Sequence, residues 1–141
     1  YPLLEHTKLS KDEIRKKISA TLGSFGLQGS ETLMPSSLSG GMQKRVGLAR
    51  AIILGPEIIL YDEPTAGLDP FNTRKIQETI LNLKSKGVTS ILVTHDMPTA
   101  FAVCDRMALL RGGVIVAEGT SDELKRDRKG MMTTFINGEE E

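Results

Sequence analysis

The segment LSGGMQKRVGLARAIILGPEIILYDEPTAGLD, Leu38–Asp69, changes its apolar period partway along, and that change decides the fold. After Ser39, the residues Met42, Val46, Ala49 and Ile53 fall on one face of a helix, with Lys44 and Arg45 pointing elsewhere. Gly55 and Pro56 stop that helix. The run IILYD, Ile58–Asp62, is then short and almost continuously apolar, which is what a parallel strand buried on both faces requires. It ends at two carboxylates, Asp62 and Glu63. Pro64 stiffens the turn, and Asp69-Pro70 opens another helix with proline in its first turn.

The same alternation continues downstream. Ile76, Ile80 and Leu83 supply the stripe of a helix running to Gly87. SILVT, Ser90–Thr94, repeats the strand signal and ends at His95. A helix from Pro98 to Cys104 leads to a third strand, Met107–Leu110, and Gly112-Gly113 turns it into Val114–Ala117 as a hairpin. Thr120 with Glu123 has the spacing of a capping box for a short helix. Upstream, Ser10 with Glu13 has the same spacing, and Ile14, Ile18 and Leu22 carry a helix to about Gly23. Gly23–Ser37, rich in glycine and serine, reads as loop and short turn. His6 lies in a segment without pattern. Strand, helix, strand, helix in this order specifies an α/β protein with a parallel sheet, whose chemistry gathers at the carboxyl ends of the strands.

Composition sets the outer bounds. The 141 residues carry 18 Lys+Arg against 18 Asp+Glu, so the net charge is zero, and the electrostatic footprint of a nucleic-acid-binding domain is absent. The single cysteine, Cys104, cannot form an internal disulfide and reads as a small apolar core residue. Ile18–Ser30, the longest uncharged stretch, is broken by three glycines and falls short of the roughly 20 apolar residues of a membrane span. YPLLEHTK at the start has neither the basic nor the apolar region of a signal peptide, and it suggests a start internal to a longer chain.

Three places could carry chemistry. Ser39-Gly40-Gly41 opens a helix with bare backbone N–H groups and the positive end of the helix dipole, a suitable dock for phosphate; the alternative is an ordinary cap. Asp62 at a strand end could hold Mg²⁺ through its waters, and Glu63 could polarise an attacking water, or the pair could be a solvated loop. His95 could hydrogen-bond a terminal phosphate, or serve only structurally ahead of a helix capped by Asp96. Order and spacing tie the three together. Ser39 precedes Asp62 by 23 residues, and His95 follows it by 33.

In that order and spacing the chain resembles the ATP-binding cassette (ABC) ATPases. Leu38–Asp69 looks like their signature loop, Walker B strand with its glutamate, and D-loop, while ILVTHD, Ile91–Asp96, looks like their switch-histidine motif. The resemblance runs on to about Gly138. PLLEHTKLS, MPSSLSGGMQKR and TFINGE look most like the ATPase subunits of Mla/MCE-type phospholipid transporters. It implies an incomplete P-loop-type core with part of the helical subdomain. The divisions would be 1–54, helical subdomain with the signature motif; 55–128, carboxyl-terminal half of the nucleotide-binding core; and 129–141, a tail. By the same resemblance Ser39, Gly40, Gly41 and Met42 would face the γ-phosphate of ATP held by a second subunit. Asp62 would hold Mg²⁺, Glu63 would be the catalytic carboxylate, His95 would sense the γ-phosphate, and Asp69 would link the subunits. Met42 stands where many cassettes have glutamine, which removes a polar side-chain contact but no backbone donor. Ala66-Gly67 replaces the more usual small-residue pair of the D-loop.

The implied partners are a second copy in a head-to-tail homodimer, an integral membrane permease and a lipid-binding MCE-type protein, with no nucleic acid. The implied place is the cytoplasmic face of the inner membrane, as a peripheral subunit. One expected element is missing. No two of the 14 glycines are five positions apart, so no G-x-x-x-x-G-K-[ST] loop exists to cradle the β- and γ-phosphates. The chain therefore reads as the carboxyl-terminal part of an ATPase, inactive alone, with apolar edges left bare beside Ile58–Asp62, where the phosphate-loop strand would be a sheet neighbour. Two alternatives remain: a noncatalytic interaction module that offers only its signature loop, and a DNA-repair ATPase. The second would insert long coiled coils, and the sequence has no sustained heptads.

Overall fold

The computed structural model describes residues 1–126, Gly130, Thr134 and Phe135. The acidic end, Glu139–Glu141, and most of the expected 129–141 tail lie outside the described residues. The fold is α/β, and the chain divides into two units, Tyr1–Val93 and Thr94–Glu141.

In the first unit, α1 (Pro2–His6) precedes α2 (Lys11–Ser24). The α2 start is a complete capping box: the Ser10 hydroxyl accepts from the Glu13 N–H, and the Glu13 carboxylate accepts from the Ser10 N–H at 2.8 Å. The Ser10 hydroxyl also donates to the Glu13 carboxylate at 2.7 Å, and this bond first, with that of the Ser10 N–H, holds the Glu13 carboxyl below its ordinary value. A 3₁₀ turn, Pro35–Ser37, leads to α3 (Gly40–Ile52), capped by Ser39. Then come β1 (Ile58–Asp62), α4 (Pro70–Ser85) and β2 (Thr89–Val93). The two strands pair in parallel, with Leu60 opposite Ile91 and Asp62 opposite Val93. Parallel neighbours need a crossover of a dozen or more residues, which α4 supplies. Ile76, Ile80 and Leu83 of α4 are buried as the apolar stripe requires, and α4 packs against β2.

The expected strand buried on both faces is corrected here. Ile59 and Tyr61 are each 4% exposed, but Ile58 and Leu60, which alternate with them, are 59% and 74% exposed. Ile91 and Val93 share the open face through the in-register pairing. The composition of β1 suits two covers, and its own unit supplies one. Helix α1 is also unforeseen: five residues are too few to display a period, although Leu3 is buried.

The second unit holds α5 (Met97–Val103), β3 (Arg106–Arg111), β4 (Val114–Thr120) and α6 (Ser121–Arg126). Strands β3 and β4 form their own antiparallel sheet. Gly112 and Gly113 turn between them at φ of 56° and 81°, the left-handed pair that a two-residue hairpin turn demands. The Thr120–Glu123 capping box forms, with the Thr120 N–H donating to the Glu123 carboxylate at 2.8 Å. Leu109 and Leu124 centre a small core with Met97, Phe101, Met107, Val116 and Ala117. Cys104, expected in the core, is half-buried at the end of α5.

Candidate functional site

The site builds from the carboxyl end of β1. Asp62 ends the strand on the open sheet face and is exposed. Glu63 follows at φ 45°, the one described non-glycine residue in the left-handed region, and its N–H donates to the Val93 carbonyl at 2.9 Å. A backbone so placed is costly for a residue with a Cβ and persists only where its surroundings dictate it. Here Pro64 and Thr65 are buried, and the turn closes with the Ala66 N–H on the Glu63 carbonyl at 3.2 Å.

Asp69 caps α4, accepting from the Asn72 N–H at 3.0 Å and from the Asn72 side-chain amide. Those two bonds, the backbone one first, hold its carboxyl below the ordinary value of 3.8. Asn72 also meets the amino end of α3. A Cβ on Gly41 would lie 2.9 Å from the Asn72 Cγ, so glycine is what lets the two helix starts approach. Ser39 accepts from the Met42 N–H at 3.3 Å; Ser39 and Gly40 are exposed at the start of the helix, whereas Gly41 is buried beside Asn72. Nothing lies within 4 Å of a Cβ built on Gly40.

Two residues at this site escaped the sequence reading. Lys44, read as pointing away from the apolar face, donates from Nζ to the carbonyl of Glu63 at 3.3 Å and to that of Ala66. Asn72 links Gly41 to Asp69. No local signal marks either: both act across 19 residues or more of chain, or through the space left by a glycine. Arg45, read like Lys44, instead reaches the Phe25 carbonyl at 3.1 Å and ties α3 to the loop after α2.

The first unit thus brings Ser39, Gly40, Gly41, Asp62, Glu63 and Asp69 onto three adjoining pieces of chain joined by Lys44 and Asn72. His95 belongs to the second unit, where it is exposed just before the Asp96 cap of α5; the Asp96 side chain accepts from the Thr99 N–H at 3.3 Å.

The chemistry of these groups fits Mg²⁺ and phosphate. Mg²⁺ is usually held by one or two carboxylates together with substrate phosphates, and Asp62 is such a carboxylate at an exposed strand end. Among the described residues no cluster of three or more His, Cys, Asp or Glu side chains forms a cage that would hold a metal without phosphate.

A family model described as ABC transporter matches residues 2–66. The intermembrane phospholipid transport system ATP-binding protein MlaF of Haemophilus influenzae is 39% identical over 140 residues, covering 99% of this chain and 53% of that protein. Over nearly its whole length the chain is similar to ABC transporter ATP-binding proteins. The similar proteins differ in the cargo they are named for. MlaF of Escherichia coli K12 is 39% identical over 98% of this chain and 52% of its own length. A Mycobacterium tuberculosis protein named "probable ribonucleotide transport ATP-binding protein mkl" is 40% identical over 98% of this chain and 39% of its own. The chain spans about half the length of the MlaF relatives it matches. A solved ATP-binding cassette of an ABC transporter, MJ1267 in its ADP conformation, superposes with a TM-score of 0.79 at 28% identity over 96% of this chain and 55% of that one. No described helix is long and apolar enough to cross a membrane.

Proposed function

We propose that this chain is the signature and Walker B part of an ATP-hydrolysing subunit that powers an ABC transporter of the phospholipid, Mla/MCE type. The observation that carries the reading is the joined pair of elements in the first unit: a helix start with Ser39 and Gly40 exposed, and a strand end presenting Asp62 and a conformationally forced Glu63. In a parallel α/β fold such strand ends are where ligands bind.

In the working enzyme two copies pair head to tail. Ser39 and the N–H groups of Gly40 and Gly41 on one copy bind the γ-phosphate of ATP seated on the other, helped by the α3 dipole. Met42 adds apolar contact in place of a polar one. Asp62 is the residue that would hold Mg²⁺ through water, and the ion would supply positive charge beside the phosphate oxygens. Glu63 orients the attacking water and takes its proton, and His95 hydrogen-bonds the γ-phosphate. Asp69 sits where the copies meet. Rate acceleration comes from positioning and charge stabilisation around phosphoryl transfer to water. The divisions 1–54, 55–128 and 129–141 are the helical subdomain, half of the nucleotide core and the tail. The subunit works peripherally at the cytoplasmic face of the inner membrane, on a permease and with a lipid-binding MCE-type protein. The MlaF names favour phospholipid as cargo.

The test is ATP turnover. The 141-residue chain, without a phosphate loop, is expected to hydrolyse no ATP, whereas a full-length ATPase carrying this sequence turns over and loses activity with Glu63→Gln. Robust turnover by the 141-residue chain, abolished by Glu63→Gln, would refute the proposed division of labour. Transfer of labelled ribonucleotide but not phospholipid by the reconstituted transporter would overturn the cargo assignment.

A further inference from the structure

We propose that Lys44 is a positioning residue for Glu63: it holds the turn after β1 in its active shape and fixes that turn to the helix that carries the phosphate-facing serine. The proposal rests on the reading of Glu63 as the catalytic carboxylate.

The geometry is specific. Lys44 lies on α3 five residues after the Ser39 cap, and its ammonium donates to two carbonyls, Glu63 at 3.3 Å and Ala66. These carbonyls bound the four-residue turn Glu63–Ala66 at its two ends. An ammonium has three donors and can serve both acceptors at once. Among the described residues Lys44 makes no ion pair, so its charge is directed at the turn alone. The turn needs holding, because Glu63 adopts φ 45° without the freedom of glycine. The Glu63 N–H on the Val93 carbonyl anchors the entry to the turn, and the Ala66 N–H on the Glu63 carbonyl closes it. Lys44 ties both ends of the turn to α3.

A functional consequence follows from the head-to-tail arrangement. Ser39 of one copy serves the ATP on its partner, while Glu63 of the same copy serves its own. Lys44 therefore ties together, within one chain, groups that act at two different ATP sites. Loss of the tie loosens Glu63 without touching the groups that bind nucleotide, so it slows the chemical step more than it weakens ATP binding.

In a full-length ATPase carrying this sequence, Lys44→Met is expected to lower kcat about tenfold with KM for ATP within about twofold of the parent. Lys44→Arg, which keeps charged donors, should recover most of that loss, and Lys44→Gln, the milder change should Lys44→Met not fold, should fall between them. Amide exchange gives a readout independent of activity. The Ala66 and Leu68 N–H groups, bonded within the turn to Glu63 and Thr65, should exchange about tenfold faster in Lys44→Met. A kcat within twofold of the parent, or a loss confined to KM, overturns the proposal, as does unchanged exchange at both amides. If the parent hydrolyses no ATP but exchange at the turn accelerates, the reading of Glu63 has failed and the structural role of Lys44 stands.

Discussion

Gly41→Ala isolates the contact on which the site's assembly depends. The added Cβ would lie 2.9 Å from Cγ, 3.0 Å from Oδ1 and 3.1 Å from Nδ2 of Asn72. Asn72 cannot swing aside freely, because its N–H and its side-chain amide both bond Asp69. Relieving the clash means shifting α3 from α4 or breaking the Asp69 cap, and overpacking of this kind costs about 1–3 kcal/mol. Alanine returns something as a better helix former, at most about 1 kcal/mol and less in the first turn. The net expectation is destabilisation by about 1–2 kcal/mol. Gly47 is the control. It lies in the middle of the same helix with nothing within 4 Å of a Cβ, so Gly47→Ala should stabilise by about 0.8–1 kcal/mol. The two variants, made in one background, should differ by about 2–3 kcal/mol in urea unfolding with unchanged m values. A Gly41→Ala midpoint equal to or above that of Gly47→Ala would show that α3 and Asn72 do not pack as described.

Glu63→Asn should raise stability by up to about 1 kcal/mol, because asparagine tolerates the left-handed backbone better, while hydrolysis in the full-length ATPase is lost; a destabilised variant would mean that φ 45° carries no strain. Tyr61→Phe should be neutral or stabilising by up to about 1 kcal/mol, because the buried Tyr61 hydroxyl has no well-formed hydrogen bond, its neighbour Ser90 being poorly oriented for one. Burial raises the Tyr61 pKa above its ordinary 10.0, so its neutral form contributes stability that is fully present below pH 10 and fades as pH rises through the raised value. Urea midpoints taken across the alkaline range should therefore fall less steeply for Tyr61→Phe than for the parent, and identical slopes would contradict the burial of that hydroxyl.

How much of this was legible in the sequence differs from element to element. Helix α2 could be read because Ser10 and Glu13 satisfy each other's backbone N–H groups locally, and α4 because Asp69-Pro70 and a three-residue apolar stripe are also local features. The stop of α3 is local as well: the regular helix ends at Ile52, a last turn runs through Ile53 and Leu54, and Gly55 ends it at φ 71° with its N–H bonded back to Ile52. Strand β2 is shifted one residue from SILVT, to Thr89–Val93, because its register is set by pairing with β1. The residues at the site were visible as types at a spacing, but their ties were not. Lys44 reads as one more surface cation until the turn after β1 folds back beneath it. The positive φ of Glu63 has no sequence signal, since glutamate is not a residue that favours it. The open sheet face, too, reflects which surfaces of an apolar strand find a cover within the unit, and the strand sequence alone reads as covered on both sides.

The most direct measurement uses two full-length variants of an ATPase carrying this sequence, Ser39→Arg and Glu63→Gln, each inactive alone. If Ser39 of one copy and Glu63 of the other meet at the same ATP, mixing and re-pairing the two variants leaves one intact site in every mixed dimer. Hydrolysis should then return to about a quarter of the parental rate for random pairing. If instead each ATP is served by Ser39 and Glu63 of a single copy, the mixture stays inactive, and the double variant Ser39→Arg/Glu63→Gln mixed with the parent keeps one working site per mixed dimer; that pair of results would contradict the head-to-tail site.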